Sequence, residues 1–444
     1  MNATANVADG RRAFAAMVVV FVIALAMRIY YVNTAMVVNP IRGDATQYFA
    51  YAWNLVHHGV FSMAQPGADA VVADSFRDPG YPVFLALLMT LFKDPDTWYG
   101  SLLLLQATLG AVTVVLAMAS ARDWLARSAL VGAGIVMAVW PHSIAINAYV
   151  LSETLFSFLL MSGLAALAAA SRANGRAALA WGAVAGLLFA AAGLTNAVLA
   201  PAGPIIALIL CWKDIPRRRA WLAMLACAVV PLLAWHARGA MLPEAESSSH
   251  RALMNFVQGS WPEYHDAYRQ FVVGDPRGQD TLRRIDAEYQ ATVINPRAGL
   301  LAIGRRIGTA PGHYLAWYAG KPWLLWGWGI RMGQNDIYQY PTLRSPFDTQ
   351  PVWRALISLC ATLNPLIFVL AAIGVVVAIT RERSAAVWVT AGLLVFCTIV
   401  YAILQSEPRY ATPLRPLEFL SAVLAIAHIG GHLKARRRAK TSAA

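Results

Sequence analysis

Charged residues are scarce in this sequence. They make up 13% of its 444 residues, whereas 58% are hydrophobic and a typical soluble domain has about 25% charged residues. So little charge cannot cover an ordinary globular surface, which excludes a soluble Rossmann-type enzyme and a disordered chain. Nearly uncharged stretches of about 18 or more residues recur, each long enough to cross a bilayer core. Because they do not alternate in polarity as porin strands do, the sequence predicts an all-α integral membrane protein.

Cysteine is also rare, and metal-ligand patterns are missing. The histidines do not combine into a set of two histidines and one acid. We therefore predict no cofactor, and a divalent metal is not indicated, although His57 or His58 with Asp69 or Asp74 would be the arrangement to form such a site. The cysteines show neither metal-ligand nor disulfide spacing and are interpreted as packing residues. They are Cys211, Cys227, Cys360 and Cys397.

Acidic residues are outnumbered by basic ones. Lys and Arg total 36 against 23 for Asp and Glu, which gives a net charge of +13. A soluble chain this basic would suggest nucleic acid, but short cytoplasmic loops of membrane proteins also collect Lys and Arg. We therefore predict contact with membrane lipids and no nucleic-acid partner. No small-residue cleavage site follows Ala13–Val32, so we expect this segment to remain as a span.

The apolar runs predict about ten membrane spans. With ten spans, the basic clusters of the short loops fall on one side, which the positive-inside rule assigns to the cytoplasm together with both termini. The expected location is a bacterial cell membrane. The clusters are Arg11 and Arg12, Arg122 and Arg127, Arg172 and Arg176, Lys213 with Arg217, Arg218 and Arg219, Arg381 and Arg383, and the tail from Lys434 to Lys440. The spans cover about 13–32, 98–120, 128–148, 153–171, 178–194, 196–212, 220–237, 355–380, 385–404 and 412–431.

Two long segments remain on the outer side of the predicted membrane. Within them, Tyr81–Phe92 is too short to span, and His313–Gly329 is rich in the Trp and Tyr that favour the headgroup level. Both are predicted to lie at the outer interface, with a true span for 313–329 as the alternative. The predicted divisions are a membrane core over 1–237 that contains a catalytic first outer loop over 33–97, a large outer loop over 238–354, and C-terminal spans with a basic tail over 355–444.

Internal repeats and low-complexity tracts are absent from the sequence. Transporters built from inverted repeats usually show corresponding broken spans in their two halves. Here the polar residues concentrate in the outer loops and at the outer ends of spans instead. This distribution favours an enzyme that works at the outer surface of the membrane.

The first outer loop carries candidate site residues at two places. Asp44 lies where a helix is predicted to begin, so its carboxylate is a helix N-cap, a base that takes a proton from a hydroxyl, or both. Arg77 and Asp78 precede a bend made by Pro79 and Gly80. They form either an ion pair that anchors the loop or, for Arg77, a phosphate ligand with two parallel hydrogen bonds.

Further candidates lie at the outer ends of later spans. Glu153 begins the fourth span, where an acid complements the helix dipole. Arg409 belongs to a short outer turn, and Arg415 stands three residues before Glu418, with which it can pair inside the span. Ionisable groups at this depth are functional candidates, so an arginine cluster here could hold a lipid-linked phosphate. Lys321, within the aromatic segment, is the next candidate together with Arg415.

Several of these motifs occur in the order seen in a known family. The chain resembles C-type glycosyltransferases, and the branch it is most similar to contains the protein O-mannosyltransferases and the lipid A aminoarabinose transferase. It departs from many relatives at Ala45, where they have a second acid, and at Asn196-Ala197, where they have Arg-Pro. The second departure removes one cation that the family pattern has, so Arg77 and Arg409 become the main candidate cations. The motifs are Gly43-Asp44…Tyr48, Arg77-Asp-Pro-Gly-Tyr-Pro82, Ser152-Glu153, Gly193-Leu-Thr195 and Glu407-Pro-Arg409-Tyr410…Pro413.

The resemblance implies an outer-surface enzyme that takes a sugar from a polyprenyl phosphate. It assigns the catalytic acid of the first loop to Asp44 and the acid after the third span to Glu153. We therefore expect an inverting transfer to a glycolipid, glycan or protein, with Asp44 as base and Asp78 as its substitute. The donor phosphate would contact Arg77 and Arg409. The alternatives are a glycan polymerase or ligase that uses a polyprenyl diphosphate, and a lipid-linked sugar flippase or other transporter.

Overall fold

The computed structural model describes residues 3–242, 247–272, 274–329, 340–381 and 384–442, with side chains over 13–431 of these ranges. Within them the chain is almost entirely helical, because a helix satisfies its own backbone hydrogen bonds inside a bilayer. The α-helices of these ranges are α1 Ala3–Thr34, α2 Asp44–His58, α3 Gly80–Leu91, α4 Pro95–Ala121, α5 Arg127–Val139, α6 Pro141–Ala145, α7 Glu153–Arg172, α8 Gly175–Thr195, α9 Ala202–Lys213, α10 Arg218–Ala240, α11 Ser248–Gly259, α12 Tyr264–Val272, α13 Pro276–Ile294, α14 Pro296–Thr309, α15 Pro311–Leu325, α16 Pro346–Thr349, α17 Pro351–Arg381, α18 Ala385–Ile403, α19 Pro408–Ala411 and α20 Arg415–Ser442.

Eight helices of the described ranges are long and apolar enough to cross a membrane. A ninth span forms if α5 and α6 count as one, although the pair bends by 57° at the break. The tenth predicted segment corresponds to the shorter apolar helix Ala197–Lys213. The protein is therefore an all-α integral membrane protein, as predicted, while the count of ten spans remains a prediction. Arg383 and the side chains of Arg11, Arg12 and the basic tail lie outside the described residues.

The short basic loops after α4, α7 and α9 meet at one end of the helices, which we call the short-loop end. Arg172, at the end of α7, forms an ion pair with Asp123 in the loop after α4. The Nε of Arg217, before α10, donates to the carbonyl of Ala173 at 3.0 Å. Basic loops that are distant in the sequence therefore meet at the same end, as the predicted arrangement requires.

Two long connections meet at the opposite end, which we call the loop end. The first connection joins α1 to α4, and the second joins α10 to α17. Strand β1, Met36–Val37, pairs antiparallel with β2, Thr342–Leu343, and so ties the first connection to the second. In the first connection, helix α2 packs on α3. In the second connection, helix α15 packs on α18 and α19, which follow it in the chain. Both apolar stretches predicted to be interfacial form helices here, α3 and α15, and neither meets the length of a candidate span.

Candidate active site

Helix α2 presents Asp44 at the loop end. Its N-cap is Gly43, whose φ of 53° and ψ of −126° suit a residue without Cβ, and no side chain caps the helix. Asp44 is thus the first helical residue, and the N-cap alternative is wrong. Its Oδ1 accepts from Arg77 Nη2 and its Oδ2 from Arg409 Nη2, both at 2.6 Å. With 31% of its side chain exposed, this carboxylate joins two guanidinium groups at an accessible position.

Arg77 is held by the start of the same helix. Its Nε donates to Gln47 Oε1 at 2.5 Å, and its guanidinium lies 5.0 Å from the ring centroid of Tyr48. The loop that carries Arg77 ends where Gly80 meets Thr195: a Cβ on Gly80 would lie 2.3 Å from Thr195 Oγ1 and 2.9 Å from its Cα. The glycine of the Arg-Asp-Pro-Gly motif therefore permits a close approach of α3 to α8 that positions this loop.

Arg409 connects Asp44 with a second acid. It lies in α19, and its Nε donates to Oε1 of Glu153 at 2.5 Å. Glu153 is the first residue of α7, and its side chain is 8% exposed. Arg77, Asp44, Arg409 and Glu153 therefore form a row of alternating charges, which we call the charge row, although they come from four separate parts of the chain.

The charge row sets the protonation state of Asp44. Burial alone would raise the pKa of this carboxyl, but the charges and hydrogen bonds of Arg77 and Arg409 outweigh burial and hold its pKa well below the usual range. Burial lowers and Asp44 raises the pKa of Arg77, and the net direction is upward. Asp44 is consequently ionised at neutral pH, and each of its two oxygens accepts from a guanidinium group.

Asp78 has a different environment from the one that adjacency to Arg77 suggests. Its Oδ2 accepts from Arg251 Nη2 at 2.6 Å and from the backbone N–H of Ala197 at 3.1 Å. The carboxylate thus joins the loop before α3 to α11 and to the turn after α8. No described contact brings Asp78 to Asp44, so its role as a substitute base stays a prediction.

The two remaining phosphate candidates lie apart from the charge row in their described contacts. Lys321 is buried and donates to the carbonyl of Leu404 at 2.7 Å, and burial lowers its pKa to about 8. Arg415 pairs with Glu418 at 2.7 Å and donates to Asn364 at 3.0 Å, and both charged residues are buried. Arg415 therefore forms the ion pair inside the span that its spacing to Glu418 allows.

Sequence reasoning missed three residues that build the site. Gln47 holds Arg77, and Arg251 holds Asp78. The hydroxyl of Tyr340 donates to Arg42 O at 2.6 Å and lies 3.4 Å from the backbone N of Ala45, so a residue of the second connection holds the start of α2. Gln47 could have been found from the sequence, because Gln47 lies between Asp44 and Tyr48 of the first motif. No local pattern marks partners as distant as Tyr340.

The alternative metal site in the first connection does not assemble. Asp74 accepts hydrogen bonds from the hydroxyl of Tyr51, from Met63 N at 2.7 Å and from Phe76 N at 3.1 Å. His57 stacks on Trp53 instead, with ring centroids 3.8 Å apart. Across the described residues, no group of three or more His, Cys, Asp or Glu side chains is arranged to hold a metal ion.

The fold is similar to that of solved membrane glycosyltransferases. The apo oligosaccharyltransferase of Archaeoglobus fulgidus matches with a TM-score of 0.50 and 14% identity, over 97% of this chain and 52% of that one. The same enzyme with Zn and sulfate gives 0.51 and 12%, over 95% and 50%. ArnT from Cupriavidus metallidurans bound to undecaprenyl phosphate gives 0.38 and 16%, over 96% and 77%. No protein-family model and no curated sequence matches significantly.

These structural matches define the class of the fold. The chain has the fold of C-type glycosyltransferases, as its motif order predicts. It spans about half the length of the archaeal oligosaccharyltransferase structures that it matches. At this level of identity the likeness concerns the fold, and the activity has to be argued from the site.

Proposed function

We propose that the protein is a membrane glycosyltransferase that moves a sugar from a polyprenyl phosphate to an acceptor hydroxyl on a glycolipid, glycan or protein. The carrier would be undecaprenyl phosphate in a bacterium, and the loop end would face the outer side of the membrane. The observation that carries this proposal is the charge row, in which Arg77 and Arg409 converge on Asp44 at 2.6 Å each. The fold and the motif order support the same class of reaction.

Arg77 and Arg409 are suited to the leaving group. A departing phosphate gains negative charge as the sugar leaves, so it needs fixed cations near it and no general acid. Guanidinium groups bind phosphate with paired hydrogen bonds. The two arginines are already held, Arg77 by Gln47 and Arg409 by Glu153, so little reorganisation is needed when the phosphate arrives.

Asp44 is the proposed base. The acceptor oxygen forms a bond to the anomeric carbon while the bond from that carbon to the phosphate oxygen breaks. The bonding electron pair leaves with the phosphate, which Arg77 and Arg409 stabilise, and the acceptor proton passes to the carboxylate of Asp44. A single displacement of this kind inverts the anomeric centre.

The low pKa of Asp44 requires that donor binding activate it. A carboxylate held by two guanidinium groups is a weak base, since general-base efficiency falls with the pKa. A phosphate that draws one guanidinium hydrogen bond away from Asp44 removes part of the effect that lowers its pKa. Asp44 then becomes more basic only when the donor is bound. In the free site, the carboxylate of Asp44 accepts the arginine hydrogen bonds that the phosphate would otherwise accept.

Replacing each arginine tests the phosphate site. Arg77→Ala and Arg409→Ala should weaken donor use by about ten- to a hundredfold, because a charge-assisted hydrogen bond contributes roughly 1.5–3 kcal/mol. Binding of undecaprenyl phosphate to the purified protein in nanodiscs measures this loss. Arg277→Ala is the matched control, since Arg277 is 83% exposed and pairs with Asp275 at 2.9 Å. Normal donor binding by both variants would place the phosphate elsewhere.

Lipids that copurify with the protein distinguish the proposed donor from its alternative. Mass spectrometry should detect a polyprenyl monophosphate or its glycosylated form in extracts of the purified protein. A glycan on a polyprenyl diphosphate would identify a polymerase or ligase instead. Movement of lipid-linked sugar across vesicles without glycosidic bond formation would identify a flippase.

A further inference from the structure

A small cavity borders the charge row at Glu153. It has a volume of about 30 Å³, and its lining includes Arg28 of α1, Gly110 of α4, Asn147, Glu153 of α7, and Thr412. One water molecule needs about 10–15 Å³ on this measure and two to four polar partners. The cavity therefore has room for about two water molecules.

Three lining residues each have a buried polar atom that lacks a hydrogen-bond partner in the described part of the chain. The atoms are Nε of Arg28, Oε2 of Glu153 and Oγ1 of Thr412. The residues are 1%, 7% and 4% exposed. Buried polar groups are nearly always paired, with ordered water where protein cannot supply a partner. Three such groups around one cavity are the arrangement that buried water pairs in proteins.

The rest of the Arg28 guanidinium is held by backbone carbonyls of its own helix, α1, and of α5. Nη1 donates to the carbonyls of Ala24 at 3.1 Å and Ala138 at 3.0 Å, and Nη2 to that of Met137 at 3.4 Å. Helix α5 ends at Val139 and Pro141 follows, so carbonyls of its last turn have no amide to accept from. Arg28 supplies these donors, which fixes its guanidinium and leaves Nε–H for the cavity.

Gly110 keeps this space open. A Cβ at position 110 would lie 2.6 Å from Oδ1 of Asn147 and 2.9 Å from Nε of Arg28. The missing side chain thus leaves room beside the two polar atoms. Thr154 already donates to the same Asn147 Oδ1 at 3.4 Å, which orients the amide oxygen among the cavity groups.

We infer that ordered water in this cavity joins Nε–H of Arg28 to Oε2 of Glu153, and that Arg28 is thereby a positioning residue for Arg409. The water accepts from Arg28 and from the Thr412 hydroxyl and donates to Glu153 and to Asn147. Glu153 then has both oxygens fixed, because its Oε1 accepts from Arg409 at 2.5 Å. The water link stands on the cavity alone, whereas its effect on donor binding rests on the proposed function.

A crystal structure of the wild-type protein at a resolution that shows ordered water tests the link directly. We expect density within hydrogen-bond distance of both Arg28 Nε and Glu153 Oε2. A dry cavity would overturn the inference. This measurement does not depend on any activity, so it decides the matter even if the protein fails to bind undecaprenyl phosphate and the proposed function falls.

Cavity variants test the positioning role. Thr412→Val removes a hydroxyl that faces the water, and Gly110→Ala fills the space beside Arg28. Each should raise the dissociation constant for undecaprenyl phosphate about three- to tenfold, the worth of one hydrogen bond, with the acceptor KM unchanged. Thr412→Ser keeps the hydroxyl and should bind normally.

Thr113→Val is the matched control in the same cavity. The hydroxyl of Thr113 is already used, since it donates to Leu109 O at 2.7 Å. This variant should bind the lipid phosphate as the wild type does. If Thr412→Val and Thr113→Val behave alike, or if Gly110→Ala binds normally, Arg28 does not position the row through water.

Discussion

At the scale of single residues, the carboxylate of Asp44 determines how the charge row responds to a donor. It neutralises Arg77 and Arg409 in the free site, and the arginines in turn hold its pKa well below the usual range. A group with this pKa keeps its charge at every physiological pH. The same residue therefore competes with phosphate for the arginines. It is a weak base until the phosphate takes over one of its hydrogen bonds.

Asp44→Asn separates these two roles. The amide cannot take a proton, so turnover should fall by roughly 10²–10⁴-fold, the usual worth of general-base help. The amide also carries no charge, so both arginines become more available and the protein should bind undecaprenyl phosphate at least as tightly as the wild type. Single-turnover transfer and equilibrium binding measure the two effects separately.

Glu153→Gln is the matched control for this substitution, because it also replaces an acid of the row by its amide. Glu153 contacts Arg409 alone among the row residues, at 2.5 Å, so its loss should weaken donor binding and reduce turnover less than the loss of Asp44 does. A folded Asp44→Asn protein with near-normal turnover would remove Asp44 from the mechanism and make Asp78 the next candidate.

The depressed pKa of Asp44 also predicts a pH dependence of stability. A carboxyl whose pKa is lowered by folding contributes stability above its unfolded pKa of about 3.9 and loses it as the pH falls through its folded pKa. The difference in Tm between wild type and Asp44→Asn should therefore stay constant from about pH 8 to pH 5 and shrink only in stronger acid. Thermal unfolding followed by tryptophan fluorescence measures it. A difference that shrinks between pH 7 and pH 5 would contradict the low pKa.

At the scale of elements, the site depends on how closely the first long connection approaches α8. Gly80 begins α3 against Thr195, the last residue of α8, and leaves no space for a Cβ. Three residues earlier, Arg77 enters the charge row. A small change at this contact therefore moves the arginine, although Gly80 contacts no residue of the row in the described structure.

Gly80→Ala tests this contact. Overpacking of this kind costs about 1–3 kcal/mol, so the variant should unfold at a lower temperature and bind the donor less well. Combining it with Thr195→Ala removes the Oγ1 that lies 2.3 Å from the new Cβ and should restore part of both losses. Gly100→Ala in α4 is the control, because a Cβ there meets open space. A Gly80→Ala protein as stable as this control would contradict the close approach.

Much of the helical framework could be predicted from the sequence, because long apolar runs leave a membrane protein few alternatives to helices. Asp44, Arg77, Glu153 and Arg409 were also accessible, since each lies in a motif of the C-type glycosyltransferases. Their mutual contacts were not, because they join α2, the loop before α3, α7 and α19. For Asp78, the neighbouring position of Arg77 suggested an ion pair between the two, but Asp78 pairs with Arg251 instead.

Buried charge inside the spans was the least predictable feature. Arg28 lies within an apolar run whose composition marks a span, and only the break after Val139 explains why a guanidinium is needed there. That break depends on Pro141 in another helix. For Arg415 the spacing to Glu418 did indicate the pair, because residues three apart face the same side of a helix.

At the scale of the whole molecule, the two ends differ in chemistry. The short-loop end carries basic residues such as Arg217, and the loop end carries the charge row and the two long connections. The positive-inside rule predicts that the short-loop end faces the cytoplasm. The phosphate of the donor would then bind on the outer side, where the acceptor is also supplied. The two connections would cover the site from that side.

Cysteine labelling tests this orientation. Ala68 and Gln279 lie in the two long connections, and Ala126 and Ile215 lie in short loops; all four positions are exposed. A membrane-impermeant thiol reagent applied to intact cells should label Ala68→Cys and Gln279→Cys but not Ala126→Cys or Ile215→Cys. After permeabilisation the last two should also react. The wild type is the blank, because its own four cysteines lie within helices. Labelling of Ile215→Cys in intact cells would mean that helix Ala197–Lys213 does not cross the membrane, and the ten-span arrangement would have to be given up even if the charge row proves catalytic.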